Sequence, residues 1–465
     1  MTEGYVRRPP DLAIRSRRVV TPHGIEAAWV LVTDGLVQDL ASWDAPAPGA
    51  SLALDAGEAV VMPGVVDSHV HFNEPGRTDW EGFEAGSRAA AAGGVTTVVD
   101  MPLNCSPVTT SAAALEKKTA SARGKTFVDY GFWGGIVPGS HDQIRPLHEA
   151  GVLGFKCFLV DSGLAEFGPL RADELAAAMQ TIADLGSVLL VHAELPGPIE
   201  AAAGRSAAAG RESRVSRYLE YMDSRPPEAE SDAVELLVGL SQETGCRVHV
   251  VHVSAAQSVE LLRAAAETGV AITAETCPHY LTFAADKIPD GATQFKCAPP
   301  IRDRAHREAL WQALREGELD LIVSDHSPCP PELKHQDTGD FAAAWSGVAS
   351  LQFSLPAVWT EARLRGHDLL DVTRWMSGGP ARLTGLGGRK GRIAPGYDAD
   401  LVVWDPEAEF SVEASNILHK HTVCPYVDRK LRGRVRQTFV RGRLVFDDGE
   451  FPGAPGGRYL PRGLE

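Results

Sequence analysis

Apolar runs of four to eight residues punctuate this chain, and the stretches between them change character twice. From residue 11 to about 60 the runs are short and closely spaced, at 11–16, 18–20, 27–32 and 36–40, with a turn signal at Asp34-Gly35. Short strands joined by turns are the reading. From Gly64 the pattern becomes an apolar run followed by a longer, alanine- and glutamate-rich stretch, repeated. The first run, 59–66, leads into Asp67-Ser68-His69-Val70-His71; further strands are expected at 96–101, 127–136, 154–159, 187–192, 246–252, 270–275 and 320–325. Helices are expected at 79–93, 111–123, 142–150, 171–185, 231–244, 255–268 and 304–315, with a polar, arginine-rich insertion at 196–228. Eight strand–helix alternations over about 265 residues are what a (β/α)8 barrel requires. Strand-like runs return at 400–404, 435–440 and 444–446. The predicted fold is α/β: a TIM-like (β/α)8 barrel at 63–390, and a small β-sandwich built from both chain ends, 1–62 and 391–465.

The composition agrees. A chain of 465 residues has room for a barrel of about 250 residues and a smaller domain. A net charge of −16 argues against non-specific nucleic-acid binding and against an anionic membrane surface. Seven cysteines, with no CxxC spacing, point away from a disulfide framework and towards a reducing, cytoplasmic setting. Residues 1–5 show no basic-then-apolar signal pattern, and no apolar run reaches the roughly 18 residues of a membrane span.

In such a barrel the chemistry sits at the C-terminal ends of the strands. The first expected strand ends in His69 and His71, the fifth in His192, the sixth in His252 and the eighth in Asp325. The fourth carries Lys156 inside an apolar run, where a lysine is costly without a partner. Two histidines at i and i+2 on a strand face the same side. One His-x-His pair is common by chance; six ligand-type residues converging on one barrel mouth are not. Imidazoles and carboxylates suit zinc and other divalent transition metals. A lysine buried there has a lowered pKa, and its neutral amine can add carbon dioxide to become a two-oxygen carbamate bridge between two ions. Asp325 is the candidate proton shuttle.

These residues, with Gly154-Phe155-Lys156 and Ser324-Asp325-His326, resemble the cyclic amidohydrolases of the amidohydrolase superfamily, the group of dihydroorotases, hydantoinases and allantoinases. The resemblance spans nearly the whole chain. It implies a metal-dependent hydrolase barrel with His69, His71 and Asp325 on the more buried ion. It also implies His192 and His252 on the other ion, and carboxylated Lys156 bridging. The ions implied are zinc foremost, with cobalt, manganese, iron or nickel as alternatives. The runs Asn73-Glu74-Pro75-Gly76-Arg77-Thr78, Asp100-Met101-Pro102-Leu103-Asn104, Lys296-Cys297-Ala298-Pro299-Pro300-Ile301-Arg302 and Ser324 to Pro331 are similar to the allantoinase branch. That branch opens the hydantoin ring of allantoin, a neutral small molecule, in purine catabolism, and the resemblance suggests a homotetramer. Dihydroorotases carry an arginine at the position of Asn73, and asparagine cannot make the same ion pair with a carboxylate. The alternatives are a hydantoinase or dihydropyrimidinase of broader range, and a non-catalytic relative acting as an assembly protein; relatives of the latter kind lose metal ligands, whereas this chain keeps all six.

Asn73, Asn104 and Ser346 are the candidate substrate contacts, with backbone around Cys297 and Ala298. His249, an odd number of strand steps from His252, is expected to face away from it and to be structural. His279 is a candidate support to the site, and His326 is expected to point away from it. The cysteines are expected in core or loops, and the arginine-rich stretch 205–225 on a solvated surface.

Overall fold

The computed structural model describes residues 9–208 and 214–463. Residues 1–5, and part of the arginine-rich stretch 205–225, lie outside the described residues.

Eight short parallel strands form the centre: β1 (Val65–Val70), β2 (Val95–Asp100), β3 (Asp129–Phe132, continued by Gly134–Gly135), β4 (Phe155–Phe158), β5 (Val188–His192), β6 (Arg247–Val250), β7 (Ile272–Thr276) and β8 (Leu321–Ile322). Neighbours in sequence pair with one another from β1 through to β8. A parallel bridge between Val70 and His326 then links the chain just past β8 back to β1. Every residue of β1, β2, β4 and β5 is buried, as expected of strands covered on both faces. Helices follow the strands, among them Phe83–Ala92, Ala172–Asp184, Pro227–Thr244 and Arg304–Glu316. The last is delimited as its sequence dictates: Asp303 accepts from the backbone N–H groups of Ala305 and His306, and left-handed Gly317 ends it. The insertion after β5 holds two helices of its own, Pro196–Ala208 and Tyr218–Ser224.

Two boundaries differ from expectation. The first helix starts at Phe83 rather than near 79, because residues 71–82 form a loop that buries Phe72, Asn73 and Glu74. The eighth strand is two residues long rather than six. Three residues later Asp325 turns the chain with φ +43°.

Strands from both chain ends join in one eight-stranded mixed sheet. Its order runs Arg443–Asp447, Lys430–Val440, Leu401–Ser411, Val60–Pro63, Leu12–Thr21, Gly24–Thr33 and Leu36–Ser42, with Leu52–Asp55 also on Leu12–Thr21. The passage from this sheet into β1 is through Gly64, where a Cβ would lie 2.2 Å from the Thr96 side chain. Among the described residues no helix is long and apolar enough to cross a membrane.

A buried charge cluster fastens sheet to barrel. Lys390 Nζ donates to Asp129, at the start of β3, and to Asp400, just before the strand Leu401–Ser411, both at 2.7 Å. Asp398 lies 3.0 Å from the same nitrogen, and Arg441 also pairs with Asp129. Removing one partner from such a cluster leaves uncompensated charge in a low-dielectric setting. Lys390→Met is therefore expected to lose about 3–5 kcal/mol of stability, read as an earlier midpoint in urea unfolding. An unchanged midpoint would show that the cluster fastens nothing.

Candidate active site

All six predicted ligand residues stand at or within three residues of a strand's C-terminal end, Lys156 inside β4. His69 is in β1 and His71 follows it; both are buried, with ring centroids 5.6 Å apart. Asp325, three residues past β8, brings its Oδ1 to 3.2 Å from His69 Nε2 and 3.5 Å from His71 Nε2. The three offer ligand atoms within 4.8 Å of one another. His192 ends β5 and stacks on Phe158 at 4.4 Å. Its ring lies 4.6 Å from that of His252, which in turn lies 5.6 Å from His69. Lys156 in β4 projects beside them, Nζ 5.1 Å from the Phe158 ring centroid. All six line one cavity of about 290 Å³.

Burial sets the protonation states. It pushes the Lys156 ammonium down to about 8, so that a neutral amine is within reach near neutral pH. It lowers His71 and His192, and His252 well below the ordinary histidine range, which favours the metal-binding neutral ring. Burial opposes ionisation of Asp325, but His69, His71 and His252 together hold its carboxyl well below the usual range.

Two acids orient the imidazoles, and neither stood out in the sequence. Glu275 in β7 meets His69 Nδ1 at 2.5 Å, and burial notwithstanding, His69 and His249 hold it down at about 2. An acceptor on Nδ1 fixes the tautomer whose Nε2 lone pair faces the cavity. Glu194 does the same for His192 from the other side, meeting Nε2 at 2.7 Å and leaving Nδ1 to the cavity. Arg225 holds Glu194 in turn, at 2.6 and 3.0 Å. An acid two residues from a strand-end histidine, or ending the next strand but one, was the available signal.

His249 is structural, as expected, bonded to Thr273 at 2.8 Å and Glu275 at 3.0 Å. The parity reasoning behind that expectation does not hold, because β6 ends at Val250 and His252 lies beyond it with φ +43°. His326 turns away, accepting from Ser350 N at 3.2 Å. All seven cysteines are free and buried. Asn104 and Ser346 line the cavity, as do Cys297 and Ala298. Asn104 also reaches His71 Nδ1 at 3.2 Å. Asn73 is placed differently. It is not among the lining residues, and its amide instead points towards the Pro328 carbonyl at 3.4 Å. Its φ of +63° is a left-handed turn two residues after His71, which strand geometry could not foretell.

The donor set fits divalent metal ions. Among the described residues, Lys156 Nζ and His252 Nδ1 are buried without hydrogen-bond partners. Buried polar atoms are rarely left so, and their being orphaned beside His69, His71 and Asp325 fits groups that complete their contacts on a metal.

Comparison with known proteins agrees with this geometry. The model of the amidohydrolase family matches residues 60–445. The allantoinase of Streptomyces avermitilis is 47% identical over 452 residues, covering 97% of this chain and 99% of its own. That of Arabidopsis thaliana is 43% identical over 453 residues, covering 94% and 88%. Among solved structures, an L-hydantoinase (dihydropyrimidinase) from Arthrobacter aurescens superposes with a TM-score of 0.90 at 34% identity, covering 97% of this chain and 100% of that one. The chain therefore belongs to the amidohydrolase family, and within it stands with the allantoinases.

Proposed function

We propose that this protein hydrolyses the cyclic amide of allantoin to give allantoate, a step of purine catabolism, with two divalent metal ions as cofactors. The observation that carries the chemistry is the meeting of His69, His71 and Asp325 beside the unpartnered amine of Lys156. The substrate rests on relatives named allantoinases that are 43–47% identical over 94% or more of this chain.

His69, His71 and Asp325 would hold one ion, and His192 and His252 the other. Lys156 would bridge them after its neutral Nζ adds carbon dioxide, forming a carbamate and releasing a proton. When bound, the ions supply Lewis acidity to a ring carbonyl and lower the pKa of a water from 15.7 to roughly 7. Zinc suits the nitrogen and oxygen donors best, with cobalt, manganese, iron or nickel as alternatives. Asp325 takes the proton given up as water adds to the ring carbonyl carbon. It then delivers that proton to the ring nitrogen as the C–N bond breaks, so that carboxylate and amide leave together on one molecule. Glu275 and Glu194 keep His69 and His192 in fixed tautomers throughout. Asn104, Ser346 and the backbone at Cys297 and Ala298 face the substrate and carry its selection.

A second reading, a hydantoinase of broader range, is favoured by the close superposition on the Arthrobacter enzyme. A cytoplasmic setting is supported by the free cysteines. A homotetramer is the assembly proposed.

Three outcomes test the site. Lys156→Ala is expected to bind fewer than two ions per chain and to lose nearly all activity, with a short-chain carboxylic acid restoring part of both. Two ions and full activity in that variant would remove the bridge. Asp325→Asn is expected to lower kcat by about 10²–10⁴, and retention of more than about a tenth of kcat would remove Asp325 from the proton path. On acidification the bound metal should be held to a pH below about 6.5, the ordinary histidine value. The sign follows from the lowered pKa values of His71, His192 and His252: the neutral, ligating rings persist as pH falls until those values are reached. Release of metal at or above the ordinary value, followed by elemental analysis after dialysis, would contradict it.

A further inference from the structure

Beside the proposed ligands lies a second cluster that the reaction leaves unused. Cys277 and His279 follow β7, and each is fully buried. Together with Asp325 they present a sulfur, a ring nitrogen and a carboxylate oxygen within 4.8 Å of one another. Among the described residues, neither nitrogen of buried His279 has a hydrogen-bond partner. A buried neutral imidazole has one donor and one acceptor to satisfy, and leaving both unmet is costly. The cluster shares Asp325 with the site already described. His69, His71 and the Ser327 hydroxyl all approach Oδ1, so the carboxylate has a second oxygen to offer.

We propose that Cys277, His279 and Asp325 form an auxiliary site for a soft divalent cation such as zinc or cadmium, and that filling it inhibits the enzyme. Sulfur, nitrogen and oxygen donors in one buried cluster favour such ions over calcium or magnesium, which prefer all-oxygen sites. Binding converts the Cys277 thiol into a metal-bound thiolate and releases one proton, with no change of oxidation state. Water or hydroxide from the adjoining cavity, which Asp325, Cys297 and Ala298 line, completes the coordination. The inhibition follows from the sharing: an ion held by Cys277 and His279 draws on the same Asp325 carboxylate that the proton transfer needs. That kinetic part rests on the proposed role of Asp325, whereas the binding itself does not.

The test uses the metal-loaded protein titrated with cadmium chloride under reducing, chelator-free conditions. None of the six residues proposed for the catalytic ions bears sulfur, so a thiolate-to-cadmium charge-transfer band in the ultraviolet comes from a cysteine outside them, and its loss in Cys277→Ser assigns it to the auxiliary site. The expected result is one further cadmium per chain with that band in the parent protein and in Cys297→Ser. The band should be absent from Cys277→Ser. In parallel, half-inhibition by added zinc should require at least about tenfold more zinc in Cys277→Ser, the lower end of what losing even a partner behind a ligand costs in metal affinity. His279→Gln, which keeps hydrogen-bonding capacity, is the second variant if Cys277→Ser does not fold. It should shift the zinc curve in the same direction. The proposal is overturned if no charge-transfer band forms in the parent, or if the band survives Cys277→Ser. It is equally overturned if the zinc curve is the same in the parent and in the variants. A band that forms as expected while Asp325→Asn retains full turnover would keep the site and remove the proposed role of Asp325 instead.

Discussion

The buried carboxylate of Asp67 governs where the ring of strands meets itself. It accepts from the backbone N–H of His69 and of Ser324, each at 3.2 Å, and thereby ties the end of β1 to the chain past β8. Burial pushes its carboxyl up to about 6 against the pull of those bonds, so the contact is made at an electrostatic cost. Its structural return is large. β8 is two residues long and cannot hold this seam by ladder bonds alone. With Asp67 in place and His71 N donating to the His326 carbonyl at 2.8 Å, residues some 250 positions apart come together as one donor set.

The rest of the site continues that pattern of stability exchanged for position. His252 and Asp325 both sit at φ +43°, a left-handed conformation that costs non-glycine residues energy, and Asn104 at +62° does likewise. Each lies directly after a strand or in the loop above it, where turning the backbone aims a polar side chain into the cavity. Glu194 and Glu275 are buried acids, kept ionised by the histidines and by Arg225 beside them. The Lys390 cluster at the sheet junction shows the same physics put to a purely structural use: three carboxylates around one buried ammonium, with Arg389 and Arg441 supplying further countercharge.

Much of this was legible in the chain, for definable reasons. The barrel could be read because a parallel strand buried on both faces must be apolar throughout, and its helices must not be. The six candidate residues could be picked out because imidazole, carboxylate and a lysine in an apolar run have few uses at strand ends except metal chemistry, and the structure brings them to one cavity. What escaped was whatever depends on contacts between distant segments or on a backbone angle. Glu194 and Glu275 carry no local mark to separate them from surface acids, since their meaning lies in the ring each faces. Asn73 follows a metal-type motif by two residues, and extended geometry would put it at the cavity; a positive φ moves it away. Its motif still marks kinship with the allantoinases, while Asn104, Ser346, Cys297 and Ala298 are the residues that line the cavity.

The central claim is that this metal-type site opens the hydantoin ring of allantoin in particular. A cavity built to hydrogen-bond the polar edges of one substrate rejects analogues lacking them by large factors, because its own groups are left unpaired. The direct measurement is kcat/KM for the zinc-, cobalt- or manganese-loaded protein on allantoin, hydantoin, dihydrouracil and dihydroorotate side by side. Allantoin is expected to exceed each of the others by a factor of about 10² or more. Equal or faster turnover of hydantoin or dihydrouracil would contradict the assignment and put a hydantoinase in its place.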